Sequence, residues 1–458
     1  MGTITLTLAE WAASLKYSDL TPDAIDAAKR FLYDSIGCAL GGYQQEDCRM
    51  LEAHLADMGG KGDCTFFGCG QRNNAVNAAL YNALAIRAMD FNDIYWKADP
   101  CHPSDIIPAA TTIAEWKKLS GEELIVGIII AYEMEMRLCE AGDPGIREKG
   151  WHHATVTAFA SPMVAGRLLK LNPAQIQHAI GIAASHSCTL GAVTAGKLTK
   201  MKNTVDPLAT QAGVQAALLA EKGYSGPEHV IDGKEGLVKC MGPNWHLNLL
   251  TDGLGGKKYK IVDCGMKAYP IEALTHSPLT ALMQVLKEHK VKPDDIEQVI
   301  VETIARAADI LSDPAKYRPN SKETADHSMP YCLAVAIADG EVTPRQFKEQ
   351  RIRDPKLHPI MDSIKAVGND EFEKLFPEKQ PSRVTVKTKS GQEYSARVDV
   401  PKGDYRDPMS VDEIKVKFDA LAEPKFSKAQ CDAIRDAVMR VDQMADVGEL
   451  MKLTVAGK

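Results

Sequence analysis

Asp90-Phe91-Asn92-Asp93, followed twelve residues after Asp90 by His102-Pro103-Ser104-Asp105, places carboxylates, an amide and a histidine around a loop that opens a helix. These are groups that take, hold and return protons. Asp90 and Asp93 stand three apart at the end of a helical pattern, so both carboxylates can face one pocket; the plain alternative is a solvated helix end. His102-Pro103-Ser104-Asp105 reads as a loop into a helix, where backbone N–H groups favour an anion and His102 could hand it a proton. Trp151-His152-His153 precedes another long apolar pattern. Neighbouring histidines are expected to point apart, one inward and one exposed, rather than to line one site together. Lys202 comes just before Asp206-Pro207, which reads as a helix start, and Lys267 lies in Met266-Lys267-Ala268-Tyr269-Pro270. Either lysine alone would pass for a surface charge.

The signals for metals and nucleotides are weak. No His-Glu-x-x-His pattern and no Cys-x-x-Cys pair occurs, and the closest of the eleven cysteines are Cys64 and Cys69. Scattered cysteines, odd in number, suit reduced thiols rather than a disulfide framework. Gly253-Leu254-Gly255-Gly256 lacks both a preceding strand and the third spaced glycine of a dinucleotide site. No metal or organic cofactor is therefore expected. The net charge of -7, with acids and bases interspersed, argues against nucleic acid or an anionic membrane as partner. An anionic substrate must then be met by a local basic pocket. No segment resembles a signal peptide, and the longest apolar run, Leu124 to Tyr132, is too short to cross a bilayer, so a cytoplasmic location is expected.

The elements that must hold these groups are mostly helices. Thr21-Pro22-Asp23 starts one that continues to Gly41-Gly42. Others are predicted over Asn74 to Met89, Glu122 to Cys139, Thr155 to Leu171, Pro173 to Ala184 and Pro207 to Lys222. Their many Ala and Gly residues imply close packing in a large bundle. The character changes near Cys264-Gly265. Ile296 to Thr303 reads as a strand, and Arg383 to Thr388, Ser390-Gly391 and Tyr394 to Val400 read as a hairpin, with helices at Pro278 to His289 and Tyr331 to Ala338. The expected fold is mainly α with an α+β part: a helical domain over 1–264, a smaller α+β lid domain over 265–409, and C-terminal helices over 410–458 returning to the first domain.

In order along the chain, Asp90-Phe91-Asn92-Asp93 with His102-Pro103-Ser104-Asp105, Gly150-Trp151-His152-His153, Lys202, Lys267-Ala268-Tyr269-Pro270 and Thr324-Ala325-Asp326-His327-Ser328-Met329-Pro330-Tyr331 resemble the MmgE/PrpD family. That family includes 2-methylcitrate dehydratase, cis-aconitate decarboxylase and iminodisuccinate epimerase. The resemblance covers nearly the whole chain. It implies a homodimer, a site between the domains, no cofactor, and a small polycarboxylate substrate. It also implies that Asp90, His102, His152, Lys202, Lys267 and Tyr331 line the pocket. Lys202 and Lys267 would hold carboxylates, and His102 or His152 would be the main acid or base. Asp90 would orient that group or act as the base itself, and Tyr331 would supply a hydrogen bond or a proton. Two positions depart from the pattern or mix it: Ile94 stands where threonine is usual, and His152 resembles the decarboxylase histidine. The expected activity is a hydro-lyase of the 2-methylcitrate dehydratase type. An epimerase or isomerase of a dicarboxylate and a cis-aconitate decarboxylase are the alternatives, and a noncatalytic carboxylate-binding protein is the reading from a different class.

Overall fold

The computed structural model describes residues 2–195, 198–242, 244–422 and 425–457. The chain divides into two compact units. One comprises Met1–Gly196, Lys200–Cys264 and Ser410–Lys458; the other comprises Gly265–Met409 with Lys197–Thr199. As the sequence suggests, the protein is mainly α with an α+β part.

The first unit is a helical bundle whose small residues let backbones approach closely. A Cβ on Gly42, at the end of the helix Pro22–Gly42, would lie 2.0 Å from the carbonyl oxygen of Ala85 in the helix Ala75–Arg87. A Cβ on Gly213 would lie 2.1 Å from Ser161 Oγ, so the helix Met201–Glu221 lies directly against Ala154–Leu168. The helix Gly121–Ala141 is buried on nearly every side, which explains its apolar run without any membrane. Among the described residues no helix is long and apolar enough to cross a membrane.

One helix begins well before its expected start, whereas the others shift by three residues or fewer at either end. The helix expected from Pro207 begins six residues earlier, at Met201, and carries Pro207 inside it. Asp206-Pro207 looks like a cap in isolation, but packing overrides the proline's local preference. Lys202 and Asp206 consequently sit four apart on one helical face rather than on a loop.

The C-terminal segment closes the unit. Phe418, in the helix Val411–Ala422, stacks on Tyr33 with ring centroids 4.4 Å apart. Next to it, Lys417 Nζ lies 2.7 Å from Asp34 Oδ1 and donates to the carbonyl of Phe91 at 2.6 Å. Burial pushes the Asp34 carboxyl above its ordinary range, against the pull of Lys417.

The second unit carries a four-stranded sheet. Ile296–Thr303 pairs in parallel with Ile364–Gly368 and antiparallel with Ser382–Thr388, which pairs antiparallel with Glu393–Val398. Burial alternates along Ser382–Thr388, so Val384 and Val386 face the core. The helix His276–His289 packs on this hairpin, whose turn is made by Gly391 at φ 84°. Ser328 caps the helix Met329–Asp339 by accepting from the Tyr331 amide.

Lys417→Ala should cost about 3–5 kcal/mol, because it leaves Asp34 buried and uncompensated. A urea denaturation midpoint checks this, and the double variant Asp34→Asn/Lys417→Met should recover much of the loss.

Candidate active site

Arg87, in the last turn of Ala75–Arg87, is the centre of a buried ionic cluster. Its Nη1 lies 3.1 Å from Asp90 Oδ1 and its Nε 3.6 Å from Asp105 Oδ2. Asp90 is reached through a left-handed residue, its own φ being 51°, a conformation aspartate tolerates better than most side chains. The other oxygen of Asp90 lies 3.1 Å from Lys202 Nζ, so this carboxylate bridges two cations from two helices.

The loop start expected to attract an anion is occupied by the chain's own carboxylate. The Ser104 amide donates to Asp93 Oδ2 at 2.9 Å and the Ser104 hydroxyl to Oδ1 at 2.6 Å. Burial nevertheless pushes the Asp93 carboxyl up to about 6, against these hydrogen bonds. Asp90 and Asp93 are both buried but serve different partners, so neither is a solvated helix end. Asn92 ties the two arms together, donating to Ser104 Oγ at 2.9 Å and to Asp105 Oδ1 at 3.2 Å. Burial, reinforced by neighbouring acids, pushes the Asp105 carboxyl well above its ordinary range despite Arg87.

The histidines are placed by main-chain groups. His102, which precedes the short 3-10 turn Pro103–Ile106, has its Nδ1 2.6 Å from the Asp93 carbonyl. A carbonyl can only accept, so Nδ1 carries a hydrogen and the neutral ring's lone pair is on Nε2. In His152 the reverse holds. Its Nδ1 accepts the Ala154 amide at 3.1 Å, so its hydrogen is on Nε2. Burial first, and then His153, hold the His152 ring well below its ordinary value, so it is neutral.

Contrary to the expectation that they would diverge, His152 and His153 are both buried, with ring centroids 3.9 Å apart. The ring of His102 lies 5.4 Å from that of His153. The two side chains stay together because the helix Ala154–Leu168 begins immediately after them and the His152 amide is held by the Thr189 carbonyl at 2.8 Å.

Sequence reasoning misses Arg87, Glu135 and Thr157, and it names Asp105, His153 and Asp206 without giving them a role in the site. Arg87 and Asp90 at i and i+3 were a usable signal, whereas Glu135 and Thr157 sit inside apolar helices and offered none. Lys267 is buried in the second unit. Tyr331 is also buried there; its hydroxyl donates to the Gln346 carbonyl and its ring packs against Phe347, so in this geometry it serves the core of its own unit. Burial accordingly raises its phenol above the ordinary range. In the Asp326-His327 segment, His327 Nδ1 lies 2.6 Å from Asp326 Oδ1 and Lys322 donates to Oδ2 at 2.9 Å.

His152, His153 and Asp206 bring nitrogen and oxygen atoms within 4.8 Å of one another. Their surroundings are those of a hydrogen-bonded ion cluster rather than a metal centre, since Nδ1 of His152 is engaged by the main chain and the buried Arg87 already places its charge on Asp206.

Two family models match the chain, the MmgE/PrpD N-terminal domain over residues 6–249 and the MmgE/PrpD C-terminal domain over 269–443. A cis-aconitate decarboxylase-like protein of Aspergillus oryzae is 26% identical, with 99% of this chain and 97% of that protein covered. The cis-aconitate decarboxylase of Homo sapiens is 26% identical over 99% and 95%. The 2-methylcitrate dehydratase of Salmonella typhimurium is 22% identical over 94% and 95%. The named relatives are lyases.

Two measurements test this account of the cluster. A carboxyl whose folded pKa is raised favours the folded state below its unfolded pKa and loses that contribution as pH rises through the folded value. With Asp93 at about 6 against an ordinary 3.8, the stability of Asp93→Asn relative to the parent should improve by up to about 3 kcal/mol between pH 4 and 7. Exhaustive chelation should leave turnover intact; loss restored by one added metal would contradict the ion-cluster reading.

Proposed function

Because the chain belongs to the MmgE/PrpD family, we propose that it is a cofactor-independent lyase that removes water from a small polycarboxylate of the 2-methylcitrate type. The observation that supports dehydration is the tautomer of His102. Elimination of water begins by taking a proton from carbon next to a carboxylate, which needs a base, and the Asp93 carbonyl leaves the lone pair of His102 on Nε2. In this reading His102 takes that proton, the carbon–oxygen bond breaks as the double bond forms, and the imidazolium returns the proton to the departing hydroxyl, releasing water.

The transient charge on the substrate carboxylate is the costly feature of such a reaction. His152, neutral and presenting Nε2–H, would donate to that oxygen, a role in which a fixed dipole in a buried site outperforms water. Lys202 would attract a substrate carboxylate while Asp90 holds its ammonium in place. Lys267 comes into the proposal from the sequence motif as the second carboxylate holder. A homodimer belongs to the same reading and is checked by light scattering.

Decarboxylation of cis-aconitate is the second reading, favoured by the decarboxylases matched over almost their full length. It needs a proton donor to the new carbanion but no base, so His102 would enter protonated. Product assays separate the two: dehydration of 2-methylcitrate gives an unsaturated acid without gas, whereas decarboxylation of cis-aconitate releases carbon dioxide.

His102→Gln should lower kcat about 10²- to 10⁴-fold and abolish solvent-deuterium exchange at carbon, with little change in KM. His152→Gln should lower kcat while exchange, though slower, persists. Lys267→Ala should chiefly raise KM. Normal exchange in His102→Gln would transfer the role of base to another residue, Asp90 first.

A further inference from the structure

We propose that His153 and Asp206 are positioning residues, a buried ion pair that fixes the ring of His152 and keeps that ring neutral. The proposal deepens the reading of His152 as a neutral hydrogen-bond donor and rests on it. No sequence motif used above gives His153 or Asp206 a role.

Both residues are buried, and His153 Nε2 lies 3.5 Å from Asp206 Oδ2. Two rings whose centroids are 3.9 Å apart, away from water, are not both imidazolium, because like charges at that range repel strongly in a low dielectric. Of the two, His153 is the one that faces a carboxylate. His152 has its Nδ1 committed to accepting the Ala154 amide, so a second hydrogen there would break a main-chain bond. The proton therefore belongs to His153, and its charge excludes one from His152.

Counting hydrogens behind Asp206 supports the same polarity. Thr157 Oγ1 is in hydrogen-bond contact with Glu135 Oε1 and lies 3.3 Å from Asp206 Oδ1. A hydroxyl has one hydrogen, so it cannot donate to two carboxylates at once. Burial, helped by Asp206 and Asp93, pushes the Glu135 carboxyl well above its ordinary range, toward the neutral acid and against the hydroxyl of Thr157. Thr157 then donates to Asp206, which stays ionised although burial alone would raise it, because His153 and Arg87 pull it down. Asp206 thus accepts from both sides, and its charge holds the proton on His153.

Among the described residues, other charged groups bearing on the pair include Arg87, Arg147, Asp99, Asp105 and the ring of His102. The two arginines also disfavour a proton on His152. They stay in place in any variant of the pair, so an altered titration in such a variant reports on His153 and Asp206.

Neutron diffraction from the deuterated wild-type protein at neutral pH is the direct test. Deuterium is expected on both ring nitrogens of His153 and on Nε2 alone of His152. A single ring deuterium on His153, or two on His152, overturns the proposal, and this test needs no variant to fold. In solution, His153→Gln should move the acid-side fall of kcat to higher pH than in the wild type, because His152 takes a proton more readily without the neighbouring charge, and Asp206→Asn should do so less, because Asp206 also favours a proton on His152. KM should change less than about threefold. A loss of kcat that is the same at every pH in both variants is packing damage and overturns the proposal. Stoichiometric zinc in the purified protein, lost in Asp206→Asn, would make the three side chains metal ligands and overturn it too. The neutron result does not depend on which carboxylate is turned over, so it distinguishes failure of this inference from failure of the substrate assignment.

Discussion

Arg87 sets the terms for the polar interior of the first unit. Asp90, Asp93, Asp105, Glu135 and Asp206 are all buried in this unit, and Arg87 and Lys202 are the basic side chains in contact with Asp90. An ionised carboxylate away from water needs a partner or a proton. Asp90 takes both cations, Asp206 takes His153 together with the field of Arg87, and Asp105 and Glu135 are pushed toward their neutral forms. The interior thus sorts its acids into charged and uncharged members by distance from a few cations. That sorting separates residues able to accept a proton from residues that already hold one.

The second constraint is imposed by the main chain. The two histidines flanking His153 have opposite hydrogen placements because one ring faces a carbonyl and the other an amide. Side chains of the same type receive different roles from backbone groups that no side-chain substitution removes. The close helix contact at Gly213 serves this end, since it holds the helix bearing Lys202 and Asp206 directly against the helix that follows His153 and carries Thr157.

The sequence made the regular parts of this arrangement legible and the polar interior only in part. The helix Pro173–Ala184 and the strand Ile296–Thr303 agree with their expected bounds because local signals and packing coincide there. The helix carrying Lys202 begins before its expected start because a proline in its second turn mimics a helix beginning. Asp90, His102 and Lys202 were found because they stand in motifs. His153 was set aside because adjacent residues diverge in regular structure, an argument that fails where the chain enters a helix. Glu135 and Thr157 were invisible because a buried polar network is made by partners distant in sequence, and only the fold shows which acid meets which hydroxyl.

The contact of Lys417 with Asp34 and the Phe91 carbonyl has a consequence for the order in which the molecule is made. Nearly four hundred residues separate Asp34 from the cation that matches it, and the whole second unit lies between them. At about 5–20 residues per second, a ribosome needs on the order of 20 to 75 seconds to deliver Lys417 after Asp34 has emerged. During that interval the amino-terminal helices lack their last packing layer and their carboxylate its counter-ion. The nascent chain must therefore keep an incomplete bundle from aggregating while an entire second unit is synthesised, and the loop bearing Asp90 acquires its final support only after that unit has been made.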